Sequence, residues 1–212
     1  LCNNLAYAGA PSKFLVPNIP TPGETNGWAI TSLVNFCAKA YPAPAEHSKD
    51  AAALTVLGRD LQDGFLHSAI REQGGAYGSG AGYDPGSCVF RFFSYRDPRA
   101  LNTLSDFDRA IEWFSTQHDQ KRLEESLLGV VRALDQPRSP AGEAERAFFD
   151  MLYGRDMQSR KSFRERILGS THEQLRQVAA KYLIPSSGRV GILSGSGSES
   201  DFEGSEVRFG RL

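Results

Sequence analysis

Residues 71–83 read Arg-Glu-Gln-Gly-Gly-Ala-Tyr-Gly-Ser-Gly-Ala-Gly-Tyr, and what flanks this run restricts the fold more than any other feature. Before it, Leu54, Leu57, Leu61, Phe65 and Ile70 form an apolar stripe near helical spacing, which predicts a helix over His47–Gln73. Ser48 is placed to cap that helix, with Asp50 in its first turn and Gly74-Gly75 as its stop. After the run, Asp84-Pro85-Gly86-Ser87 is a turn sequence joining two strands, Tyr77–Tyr83 and Cys88–Tyr95, into a hairpin. A long helix delivered directly into a hairpin implies antiparallel pairing. With further helices clustered downstream, the fold class is α+β: an antiparallel sheet with helices packed on one face.

The remainder fits that layering. Leu1–Asn26, with prolines at 11, 17, 20 and 22, reads as an irregular lead-in or linker, and residues 27–212 as a single α+β domain. Leu1 is not an initiator, so the chain reads as a fragment. From Trp28 to Tyr41, alternation of Trp28, Ile30, Ser32, Val34 and Phe36 predicts one strand, ended by Pro42 and Pro44. Helices follow over Arg99–Ser115, Gln120–Asp135, Ser139–Tyr153 and, more briefly, Ser162–Leu168. Ser170 and Glu173 have the spacing of a capping box for a helix ending before Pro185. Arg189–Ser194 is a short buried strand, and Gly195–Ser200 is a flexible tract.

Charge and cysteine content narrow the function. Lys+Arg 24 against Asp+Glu 25 gives a net charge of -1, with no basic excess to draw the chain onto nucleic acid. No apolar run is long enough for a membrane span. Cys2, Cys37 and Cys88 are far apart and form no metal-binding pair, which points to a reducing compartment, cytoplasm or organelle matrix. No second histidine stands at the spacing of a zinc helix from His47, His67, His118 or His172, so no metal residue is assigned. Neither Ser79 nor Cys88 has the setting of a nucleophile.

The glycine run admits three readings. A phosphate-binding loop needs strand, glycines, then helix, whereas here the helix comes first and a hairpin follows. A purely structural role would use Gly78, Gly80 and Gly82, all on one strand face, for close packing, with Tyr77, Ser79, Ala81 and Tyr83 on the other. The third reading is a carbonyl-binding site. Arg71 ends the helix, Tyr77 begins the strand, and across Gly74-Gly75 the two donors can converge.

The segment Arg71-Glu72-Gln73-Gly74-Gly75-Ala76-Tyr77-Gly78, between a long helix and the strand Phe90-Arg91-Phe92-Phe93-Ser94-Tyr95-Arg96, resembles the Arg/Tyr signature of the pitrilysin superfamily of zinc metallopeptidases. Its presequence-protease branch is the nearest in pattern, and the likeness runs through Leu101–Phe114 to the closing helix and strand. The resemblance implies a C-terminal domain of a peptide-degrading enzyme whose zinc is held by the N-terminal half of the same protein. It assigns Arg71 and Tyr77 as catalytic donors to the scissile carbonyl. Apart from the resemblance, a strand face bare of side chains lets a substrate backbone approach, which sets Gly74, Gly75 and Gly78 beside the peptide. On this reading the fragment alone is inactive. A non-catalytic scaffold or assembly domain of the same fold is the alternative.

Overall fold

The computed structural model describes residues 25–195, 201–205 and 207–211. The alternation that organises it is plainest in one strand, Val89–Asp97: Phe90, Phe92 and Ser94 are buried while Arg91 and Tyr95 are exposed. A strand of period two therefore has a covered face and an open one. Around it a six-stranded sheet is built from β1 (Thr25–Ile30), β2 (Asn35–Pro42), β3 (Gly78–Asp84), β4 (Val89–Asp97), β5 (Arg189–Gly195) and β6 (Val207–Arg211), in the order β3-β4-β2-β5-β1-β6. Pairing is antiparallel from β3 through β5, as the hairpin implies, and turns parallel where β1 meets β5 and β6.

Helices cover one face. Helix α1 (Ala51–Leu61) continues without a break as a π-helix over Gln62–Glu72. It is followed by α2 (Leu101–Thr116), α3 (Gln120–Leu134), α4 (Pro140–Leu152), α5 (Met157–Leu168) and α6 (His172–Tyr182). Phe90 and Phe92 meet Tyr41 and Phe107 in the core, with the Phe92 and Phe107 rings stacked 5.5 Å apart. Each such buried aromatic contributes about 1.5–3 kcal/mol relative to exposure. Lys39 also points to the covered face, where the Asp108 carboxylate of α2 receives its ammonium at 2.6 Å. By contrast α4 buries none of its residues, and Phe148, Phe149, Met151 and Leu152 are exposed.

Several local expectations are corrected. The predicted Trp28–Tyr41 strand is two strands, because Ser32 folds the chain by bonding Val34 through its hydroxyl. β1 and β2 then pair with opposite edges of β5. Ser48 does not cap α1. Asp50 occupies the N-cap without a capping bond, and its carboxylate instead receives Lys181 Nζ at 2.7 Å and Tyr182 Oη at 2.8 Å. The capping box of α6 lies one residue later, at Thr171 and Gln174, while the Ser170 hydroxyl bonds back to the Arg166 carbonyl. A second box, Asp156 with Ser159, starts α5 five residues before the predicted Ser162. The strand β6 was not anticipated, and the Gly/Ser tract at 196–200 lies outside the described residues.

Two outcomes test this packing. Lys181 holds the Asp50 carboxyl below its ordinary range. A depressed carboxylate stabilises the fold above the unfolded pKa and loses that contribution as pH falls through the lowered native value. Asp50→Asn therefore lowers the melting temperature at pH 7, and the gap from the unaltered protein closes below about pH 4. In the second, a methyl at Gly58 of α1 would stand 2.8 Å from the Gly82 backbone of β3, whereas one at Gly82 meets nothing within 4 Å. Urea midpoints should show Gly58→Ala destabilised by about 1–3 kcal/mol and Gly82→Ala unchanged or stabilised by up to about 1 kcal/mol.

Candidate functional site

The end of the long helix and the start of β3 are tied together by the backbone. Gln73 N–H donates to Ser68 O at 2.9 Å, Gly75 N–H to Arg71 O at 3.1 Å and Ala76 N–H to Ile70 O at 3.1 Å. The chain thus doubles back on the last helical turn before Tyr77 N–H reaches across to Arg96 O at 3.2 Å. Gly75 sits at φ +79, a conformation that costs a side-chain-bearing residue. Gly74 is required for a different reason: the Arg99 guanidinium occupies the space where its Cβ would be. That guanidinium donates to Ala69 O at 3.3 Å and to Asp106 at 3.2 Å, locking α2 against the helix end.

Arg71 and Tyr77 both emerge into solvent from this doubled-back segment, and the Tyr77 side chain is 64% exposed. Their neighbours are residues the sequence did not single out. Arg71 Nη1 lies 3.3 Å from His67 Nε2, and His67 Nδ1 lies 3.4 Å from Glu72 Oε1. The Tyr77 ring is 5.5 Å from the Tyr95 ring at a steep angle, with the Arg96 guanidinium 5.6 Å from its centroid. Arg96 is the extra residue of a β-bulge, since Phe36 pairs with Tyr95 and Asn35 with Asp97. Its φ of +49 is unusual for a residue with a side chain. Tyr95 escaped sequence reasoning because the turn spans Pro85–Cys88 and Asp84 faces Val89: counting outward from a turn at 84–87 sets Phe93 opposite Gly78, where Tyr95 stands. The bulge, too, leaves no trace in the sequence.

The glycine face differs from the bare strip expected of it. The Tyr95 ring lies over Gly78 and the Phe93 ring over Gly80, so cross-strand aromatics fill the space two missing side chains leave. Ser79 and Tyr83 point to the helix side, where their hydroxyls bond Leu66 O and Pro44 O. Tyr77 does not join them, because β3 begins only at Gly78 and residue 77 is a bend. A cavity of about 280 Å³ lies between the π-helix and α2, lined by Phe65, Ala69, Gln73, Arg99, Asp106 and Trp113; it includes neither Arg71 nor Tyr77.

Other reactive side chains take structural positions. Burial pushes the Cys37 thiol up to about 12, far from a reactive thiolate. Cys88 lies at φ +54 in the hairpin turn, before β4 rather than within it, and is also free. His172 Nε2 meets Asp119 O at 2.9 Å and His118 Nδ1 meets Arg176 at 2.6 Å. Among the described residues no cluster of three His, Cys, Asp or Glu could hold a metal ion.

Comparison with known proteins gives this geometry a setting. Residues 28–187 match the family described as the PreP C-terminal domain. The mitochondrial presequence protease of Xenopus tropicalis is 36% identical over 159 residues, covering 74% of this chain and 15% of that protein. That of Emericella nidulans is 34% identical over 208 residues, covering 93% of this chain and 18% of that protein. The chain therefore spans under a fifth of the length of these relatives. Among solved structures, the inactive peptidase domain of a zinc protease from Bordetella parapertussis superposes with a TM-score of 0.66 at 18% identity, over 79% of this chain and 94% of that one. Pitrilysin superposes with a TM-score of 0.62 at 15% identity, over 89% of this chain and 22% of that one. These two show a shared fold.

Proposed function

The chain belongs to the PreP C-terminal domain family, and on that premise we propose that it is the C-terminal domain of a peptide-degrading zinc metallopeptidase in which Arg71 and Tyr77 bind the carbonyl oxygen of the scissile bond. The observation that carries this reading is the backbone clamp from Ile70 and Arg71 to Gly75 and Ala76. It brings a helix end and a strand start together and leaves a guanidinium and a phenol exposed.

Among the described residues no set of side chains fits a zinc ion. On this reading the metal would be held by the N-terminal half of the parent protein, where it would supply Lewis-acid polarisation of the substrate carbonyl. What this domain supplies is hydrogen bonding. As a nucleophile adds to the peptide carbon, negative charge grows on the carbonyl oxygen. Donors already aimed at that oxygen stabilise it without reorganising. Arg71 brings a permanent positive charge, and Tyr77 brings a neutral O–H with its ring braced by Tyr95 and Arg96. Gly74, Gly75 and Gly78 serve the substrate through the two donors: Gly75 takes the positive φ that doubles the chain back, and Gly74 and Gly78 leave room for the Arg99 guanidinium and the Tyr95 ring. The domain also closes part of the chamber around the peptide, and the parent works where its relatives are named to work, in mitochondria.

Arg71→Ala and Tyr77→Phe in the full-length parent should each lower kcat on a fluorogenic peptide by about 10²–10³-fold, with zinc content unchanged. Parental turnover in both variants would transfer the domain to the scaffold reading.

A further inference from the structure

The stretch carrying Arg71 is wound as a π-helix for its whole last half, and this has a consequence for one side chain. In an α-helix residues four apart share a face, whereas residues five apart are turned from each other by about 140°. In π winding the repeat lengthens, so a residue is flanked by both its fourth and its fifth neighbour. The backbone bond from Gln73 N–H to Ser68 O is of this five-residue kind. His67 shows the result: it contacts Arg71, four residues on, through Nε2 at 3.3 Å and Glu72, five residues on, through Nδ1 at 3.4 Å.

Those two contacts are mutually consistent in one protonation state. A guanidinium can only donate, so Nε2 must accept. The proton is then on Nδ1, facing a carboxylate that can only accept. We propose that His67 is a positioning residue for Arg71, held in that tautomer by Glu72 and accepting a guanidinium N–H so that the arginine stays aimed at the substrate carbonyl. This rests on the reading of Arg71 as a carbonyl donor and adds how its aim is kept. Arginine otherwise loses much rotamer freedom on binding, and a partner that orders it beforehand removes part of that cost. Such outer partners of a functional group typically matter about 10- to 100-fold.

The His67 and Glu72 side chains are 48% and 58% exposed, so replacing either leaves the core intact. In the full-length parent, kcat and KM on a fluorogenic peptide are measured for His67→Phe, His67→Gln, Glu72→Ala, Arg71→Ala and the double variant His67→Phe/Arg71→Ala, with melting temperatures alongside. His67→Phe should lose about 10- to 100-fold in kcat with a much smaller change in KM. His67→Gln should retain most activity, since its carboxamide oxygen can still accept. The double variant should be no slower than Arg71→Ala alone, which a merely structural histidine would not produce. Should His67→Phe melt lower than the parent, Glu72→Ala decides: a fall in kcat supports the relay and an unchanged kcat overturns it. Parental kcat in His67→Phe beside an impaired Arg71→Ala overturns the positioning role and spares the carbonyl assignment. Parental kcat in Arg71→Ala removes the carbonyl assignment itself.

Discussion

The contact of Gly58 with Gly82, backbone against backbone, sets the height at which the long helix lies on the sheet. No side chain separates α1 from β3 at that point, so the helix cannot slide outward without opening a gap that close-packed interiors do not tolerate. Everything at the far end of the helix inherits its position from this approach. Leu54, Leu57 and Leu61 seat the first half against the sheet, Leu66 and Ile70 seat the second, and Arg71 follows directly on the last of these anchors.

The change of winding at Gln62 reconciles two demands on one segment. The buried side chains must keep facing the sheet, and the polar ones must fan out at the tip. An α-helical second half would have placed Phe65 on the buried stripe. The π-helix instead buries Leu66, five residues after Leu61, and leaves Phe65 partly exposed beside Trp113 of α2. Long π-helices are rare because their backbone geometry is poorer, and they recur at functional sites. Here the long repeat falls where the candidate donor and its neighbours stand.

How much of this could be read in advance depends on the range of the forces involved. The hairpin, the Gly74-Gly75 stop and the α+β layering were legible because turn chemistry and apolar periodicity are local. Leu61, Leu66 and Ile70 carried the π period as steps of five and four residues. Phe65, equally apolar, satisfied an ordinary helical reading and hid it. The division of Trp28–Tyr41 into two strands was hidden for another reason. Trp28, Leu193 and Phe36 stand in one row across β1, β5 and β2, so alternation continues in register across a gap that only the intervening strand explains. The cap of α1 was misplaced because Asp50 is engaged by Lys181 and Tyr182, more than a hundred residues away. Propensity at a helix start cannot register so distant a partner.

The two exposed donors share one construction. A guanidinium or a phenol reaching into water has many conformations, and ordering it at the moment of binding is costly. Around Tyr77 that freedom is reduced from the side: Tyr95 meets the ring edge-on, and the Arg96 guanidinium lies over it. Arg96 reaches this place only through a bulge that holds its backbone in the left-handed region, at roughly 1–2 kcal/mol for a residue with a side chain. A strained residue in contact with an exposed aromatic is better explained by the aim of the ring than by stability, since removing the bulge would relieve the strain but withdraw the cation. The Tyr95 ring can lie where it does only because Gly78 offers no Cβ beneath it. Gly78 therefore acts less as open space for a substrate backbone than as room for the aromatic ring that braces Tyr77.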